Sequence, residues 1–192
     1  MKDKREETDA FGKISVPNDK YWGAQTQRSL KNFKIGGEIM PTPLIRALGV
    51  VKLAASSINK EMGILQPKIA NAIKKAAKEI INGKLDDHFP LVVWQTGSGT
   101  QSNMNANEVI ANVALEMIGK EKGDYEAISP LTHVNMSQST NDTYPTALLV
   151  GFLKEYDPLL KAIKDLSDSF HAKGVEFAGI IKMGRTQLQD AV

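Results

Sequence analysis

A chain of 192 residues with 42% hydrophobic and 24% charged residues has the composition of a soluble globular protein of one to one and a half domains. Its 24 basic and 22 acidic residues leave a net charge of +2, which gives no electrostatic case for nucleic acid or an anionic membrane surface. With no cysteine, disulfides, thiolate chemistry and cysteine-held clusters are excluded, and His88, His133 and His171, the only histidines, lack the close spacing of a histidine-rich metal centre.

The charged start from Met1 to Asp9 reads as a solvated lead-in. It has no apolar leader core, so the cytoplasm is the expected location. No apolar run reaches the roughly 20 residues that span a bilayer. Phe11 to Gly23 carries the punctuation of loops or short strands, with Tyr21 and Trp22 as anchors on a core. Gln25 to Asn32 suits a short helix or turn. From Pro41 the pattern turns helical: Leu44, Leu48, Val51, Ala55, Ile58 and Met62 recur at steps of three and four. Pro41 and Pro43 suit the start of that helix and Gly63 its end. A second helix follows Pro67, with Ile69, Ala72, Ile73, Ala76 and Ile80 on one face, and Asn82-Gly83 closes it. A third is expected from about Asn105 to Ile118, with Val109, Ile110, Val113 and Met117 as its apolar residues.

The last helical region is the most regular. Leu149, Phe152, Tyr156, Leu159, Ile163, Leu166 and Phe170 form a seven-residue repeat, the mark of long helices packed side by side. Asp157-Pro158 lies inside it and predicts a kink, or a break with a new helix capped by Asp157. The fold class is therefore all-α. A mainly helical domain is expected over residues 1–143 and the start of a helical bundle over 144–192. The apolar stripe needs partner helices that the rest of the chain does not supply, which points to an oligomer or to a chain that is part of a longer one.

Three loops of one chemistry punctuate the helices. Trp94-Gln-Thr-Gly-Ser-Gly-Thr-Gln-Ser-Asn-Met-Asn105 packs two glycines, four hydroxyls and several amides ahead of a helix. Ser137-Gln-Ser-Thr-Asn-Asp142 and Gly184-Arg-Thr-Gln-Leu-Gln-Asp190 repeat the theme. Hydroxyls, amides and free N–H groups at a helix start hold carboxylate oxygens without fixed charge. The set suits a small, highly anionic molecule such as a dicarboxylate, and such donors also stabilise negative charge that grows during a reaction. No histidine lies within the three loops. His133 is read as structural, Asp142 and Asp190 as loop-orienting or capping residues, and Arg185 as a carboxylate binder or a salt-bridge partner.

The first loop closely resembles the first signature of class II fumarate hydratases, within the fumarase/aspartase superfamily. Trp22-Gly-Ala-Gln-Thr-Gln-Arg-Ser29, Asp86-Asp-His-Phe-Pro90 and Arg5-Glu-Glu-Thr-Asp-Ala-Phe-Gly12 are similar to that family too, so the resemblance covers the N-terminal portion of such an enzyme. It implies that Thr96, Ser98, Thr100 and Asn103 bind substrate together with Ser139, Thr140 and Asn141, and that Thr186 and Gln187 match a catalytic region. It implies neither metal nor cofactor, and a homotetramer whose long helices form one core with active sites shared among subunits. The implied reaction interconverts L-malate with fumarate and water through an aci-carboxylate. The later half resembles aspartate ammonia-lyase instead, because fumarases usually carry serine where Thr140 stands and histidine where Gln187 stands. Ser129-Pro-Leu-Thr132 replaces the usual His-Pro-Asn-Asp of a second anion site. The family's mobile loop, Gly-Ser-Ser-x-Met-Pro-x-Lys-x-Asn, falls outside these 192 residues. The expectation is therefore a substrate-binding half-site, with a non-catalytic helical assembly fragment as the further alternative.

Overall fold

The computed structural model describes residues 3–190, which divide into two compact units, Met1–Lys154 and Glu155–Val192. The first unit opens with a hairpin. Strand β1 (Lys4–Asp9) pairs antiparallel with β2 (Gly12–Pro17), setting Glu7 opposite Ile14 and Arg5 opposite Val16. The solvated lead-in expected for this stretch is corrected here: Glu7 is 4% exposed. Its charges alternate with the period of a strand, and those that turn inward are paired. Arg5 bridges Glu7 at 2.6 Å, and Asp9 holds Arg28 at 2.7 Å.

Four helices follow, α1 (Ala24–Asn32), α2 (Thr42–Glu61), α3 (Pro67–Ile81) and α4 (Thr100–Met117). Prolines begin α2 and α3, where a missing N–H costs nothing. The expected face of α3 is the buried one, and Ile73 and Ile80 have no exposure. Each such side chain contributes about 1.5–3 kcal/mol. Helix α2 departs from its expected stripe. Leu44 and Leu48 are buried, but Ile58 and Met62 are 53% and 67% exposed, while Lys52, Ser56 and Asn59 turn inward. The second half of α2 thus packs a polar face, for a reason that lies in the site.

Helix α4 starts five residues earlier than expected, and every residue from Ser102 to Leu115 is buried. A helix buried all round normally carries apolar residues. This one carries Asn103, Asn105, Asn107, Glu108 and Asn112, so its surroundings must supply hydrogen bonds. They do. Asn105 Nδ2 donates to the His88 carbonyl, Asn112 Nδ2 donates to the Tyr21 carbonyl, and Asn112 Oδ1 accepts from Gly123 N–H.

Helix α5 (Thr140–Glu176) begins in the first unit and ends in the second. It is continuous through Pro158, so the expected break is absent: two missing donors, at Pro145 and Pro158, are tolerated within a helix of 37 residues. In the second unit Leu159, Ile163, Leu166 and Phe170 are each more than half exposed. A short hairpin follows, β3 (Arg185–Thr186) with β4 (Gln189–Asp190). The all-α class stands, with one substantial hairpin added. Among the described residues no helix is long and apolar enough to cross a membrane.

Candidate functional site

The first polar loop becomes a helix start through one residue. Gly99 takes φ +76° and is the residue before Thr100. A Cβ there would overlap Cγ of the Tyr144 ring, so only glycine fits both the backbone and the space. Thr96, Ser98 and Thr100 stand exposed around this turn. Ser98 Oγ and Thr100 Oγ1 are 3.0 Å apart, and Thr96 Oγ1 donates to Gln101 Oε1. Four residues on, Asn103 is buried at 1% exposure.

Asn103 reaches the second polar loop. Its Nδ2 donates to Thr140 Oγ1 at 2.9 Å and to Asn135 Oδ1 at 3.2 Å, and its Oδ1 faces Thr143 Oγ1 at 3.3 Å. Ser139 closes the first turn of α5: its carbonyl accepts from Thr143 N–H and its Oγ from Asn141 N–H. The structure therefore joins two helix starts, α4 at Thr100 and α5 at Thr140, through the Asn103–Thr140 bond. Seven expected residues, Thr96, Ser98, Thr100, Asn103, Ser139, Thr140 and Asn141, belong to this pair of turns. Helix starts carry partial positive charge and free N–H groups. Thr186 and Gln187 lie in the second unit, in and beside the β3–β4 turn, where Gln187 takes φ +53°.

Beneath the turns lies a group of amides around Lys52. Lys52 Nζ donates to Asn135 Oδ1 at 3.0 Å and Gln138 Oε1 at 2.8 Å. Asn107 Nδ2 reaches the same Asn135 oxygen at 3.2 Å, and Asn59 Nδ2 donates to the Met136 carbonyl at 2.9 Å. This explains the polar face of α2. The lysine has no exposure, and burial pushes its pKa down to about 7. Of these supporting residues only Gln138 lies in a loop marked from sequence; Lys52, Asn59, Asn107 and Asn135 do not. The available signal was the phase: Ile45, Leu48, Lys52, Ser56 and Asn59 also step by three and four.

On another side of α4, Glu108 accepts three backbone N–H groups at the start of α1, from Gly23 at 2.9 Å, Gln25 at 2.8 Å and Thr26 at 3.1 Å. Burial outweighs these bonds and pushes its pKa up to about 7. Glu7 Oε2 accepts from Ala24 N–H and from the Tyr125 hydroxyl. A Cβ on Gly23 would come 2.6 Å from Glu7 Oε2, so close carboxylate approach requires glycine there. Two of the three histidines are occupied structurally. His88 Nδ1 accepts from Tyr21 N–H and His133 Nδ1 from Ser129 N–H, and burial lowers both pKa values. An open pocket of about 360 Å³ touches Thr100 and Gln101, but its Arg28 is held by Asp9.

Residues 12–192 match a protein family described as lyase. The chain is 59% identical over 191 residues to the human mitochondrial fumarate hydratase, covering 98% of this chain and 37% of that one. It is also 59% identical over 188 residues to the class II fumarate hydratase of Caulobacter vibrioides, covering 97% and 41% of the two chains. A fumarate lyase:delta crystallin structure from Brucella melitensis superposes with a TM-score of 0.91 at 47% identity, over 98% of this chain and 44% of that one. The chain thus spans about two fifths of the length of the curated relatives it matches.

Proposed function

This chain belongs to the lyase family, and on that premise we propose that it forms the donor side of a fumarate hydratase-type site interconverting L-malate with fumarate and water. The Asn103–Thr140 bond carries the reading, because it unites the two hydroxyl-rich helix starts into one anion-binding face. In the reaction a proton leaves the carbon beside one carboxylate, and the electron pair moves into that carboxylate to give the aci-form. The neighbouring C–O bond then breaks as the double bond forms, and the hydroxyl departs with a proton as water. Ser98, Thr100 and Thr140 supply uncharged donors for carboxylate oxygens as negative charge grows, and Asn103 orients Thr140 among them. Thr186 and Gln187 are assigned to the catalytic region of the same enzyme.

The proposal extends to the assembly. Residues 1–143 form the N-terminal lyase domain and residues 144–192 begin a central bundle. The exposed apolar stripe of α5 suits association into a homotetramer. Neither metal nor cofactor is required, nucleic acid and membranes are not partners, and the cytoplasm is the location assigned. Aspartate ammonia-lyase, which releases ammonia from L-aspartate, is the second reading. Thr140 and Gln187 favour it, standing where fumarases usually carry serine and histidine.

The test offers L-malate and L-aspartate separately to the 192-residue chain and follows the ultraviolet absorbance of fumarate. Fumarate binding is measured in parallel. Malate turnover supports the hydratase reading, and aspartate turnover replaces it with the ammonia-lyase. Binding without turnover supports a donor half-site. No binding, with a folded chain, refutes the anion-binding face.

A further inference from the structure

Among the described residues Lys52 is the only fully buried basic side chain, and no carboxylate bridges it. Its two partners are both amide oxygens. An ammonium has donors and no acceptor, so the atoms facing it must be Asn135 Oδ1 and Gln138 Oε1, and each amide nitrogen is turned away. The turned nitrogens hold the loop. Asn135 Nδ2 donates to the Gln138 carbonyl, and Gln138 Nε2 donates to the carbonyls of Val134 and Met136. With its oxygen toward the lysine, Asn135 can only accept from Asn103 Nδ2 and Asn107 Nδ2. The same Asn103 nitrogen then donates to Thr140 Oγ1 at 2.9 Å. Thr140 must accept there, which leaves its own O–H to donate elsewhere.

We propose that Lys52 is a positioning residue of this site: through Asn135 and Asn103 it fixes the direction in which Thr140 donates, and so commits the site to an anionic ligand. The assignment deepens the dicarboxylate reading and rests on it for the identity of the ligand. While Lys52 carries its proton, the order of donation starts at a group that can only donate. A neutral filler of the same volume would leave the Asn135 amide free to turn, and with it the donor pattern presented at the helix starts. The same logic accounts for a lysine among amides at a place where methionine would fill the space.

The test uses the 192-residue chain, wild type, Lys52→Met and Lys52→Gln, with hydrogen exchange of the side-chain amides read by NMR. In Lys52→Met, exchange at Asn135 and Asn103 is expected to quicken at least tenfold. Asn105 and Asn112, on the same helix with backbone partners elsewhere, should be unchanged. Lys52→Gln keeps a donor and should fall between, and it decides the matter by the same criterion if the methionine variant does not fold. Unchanged exchange at Asn103 overturns the proposal. So does an equal loss at Asn105 and Asn112, or failure of both variants to fold, since either would make Lys52 a packing residue. Fumarate is then added. Wild-type shifts at Asn103 and Thr140, with affinity about tenfold weaker in the variant, support both the positioning role and the ligand. No wild-type shift, with the exchange pattern intact, removes the dicarboxylate reading and leaves the positioning role standing.

Discussion

Replacing Lys52 by methionine should change stability in a direction that depends on pH. Burial brings the lysine pKa from 10.5 down to about 7, and each unit corresponds to about 1.4 kcal/mol. Below pH 7 both folded and unfolded chains carry the proton, and the fold bears the whole penalty, about 5 kcal/mol. Between pH 7 and 10.5 the unfolded chain binds more protons than the folded one, so wild-type stability rises with pH. At pH 9.5 only about 1.4 kcal/mol of the penalty remains. Against this, methionine loses the bonds to Asn135 and Gln138, together worth about 2–3 kcal/mol. The variant should therefore be more stable than wild type by about 2 kcal/mol at pH 6, and less stable by about 1 kcal/mol at pH 9.5. Urea unfolding at the two pH values, followed through the fluorescence of the buried Trp22, measures both differences. A stability difference that does not move with pH would show that Lys52 titrates normally, and the account of its burial would be wrong.

Gly99→Ala should destabilise the first unit by at least about 1–2 kcal/mol from the left-handed backbone alone, with more from displacement of Tyr144; the same unfolding assay reads it. Glu108→Ala orphans three N–H groups at the start of α1, and about 3 kcal/mol or more of stability should go with them. Glu108→Gln tests the raised carboxyl. The folded state holds the extra proton between pH 4.5 and about 7, so over that window wild type should lose about 3 kcal/mol relative to the glutamine variant as pH rises. Aspartate at both Leu159 and Leu166, which are 51% and 57% exposed, should abolish association seen by sedimentation if the α5 stripe is the assembly face, and an unchanged sedimentation profile would remove that assignment.

What the sequence reveals follows from where its period has one meaning. Helix α3 was legible because lysines mark its outer face and alanines and isoleucines its inner one. The first polar loop was legible because Gly97, Gly99 and the hydroxyls around them form a dense, local pattern. Helix α2 was legible only in its first half. After Leu48 two stripes compete at helical spacing, one apolar through Ile58 and one polar through Lys52 and Asn59, and hydrophobicity selects the wrong one. The polar stripe is inward because Asn135, Gln138 and the Met136 carbonyl wait for it, and partners some eighty positions away leave no mark on a local window. Strand β1 hid for the same reason. Arg5 and Glu7 look solvated until the neighbours that neutralise them are known.

Both hidden features meet on α4, and together they explain how one helix can be buried on every side with four asparagines and a glutamate. On one side Glu108 and Asn112 take up the N–H groups and carbonyls of the segment from Tyr21 to Thr26, so the hairpin and α1 are fixed to the helix. On the other, Asn103 and Asn107 take up Asn135 and Thr140, so the second polar loop is fixed to it as well. The first polar loop is simply the start of the same helix. Chain segments far apart in sequence are thereby referred to one rigid axis. A hydrogen bond removed from α4 therefore acts at a distance only if it belongs to the side that carries the site. Asn103 and Glu108, five positions apart, should separate cleanly on that criterion: loss of the first moves ligand contacts with modest loss of stability, and loss of the second does the reverse.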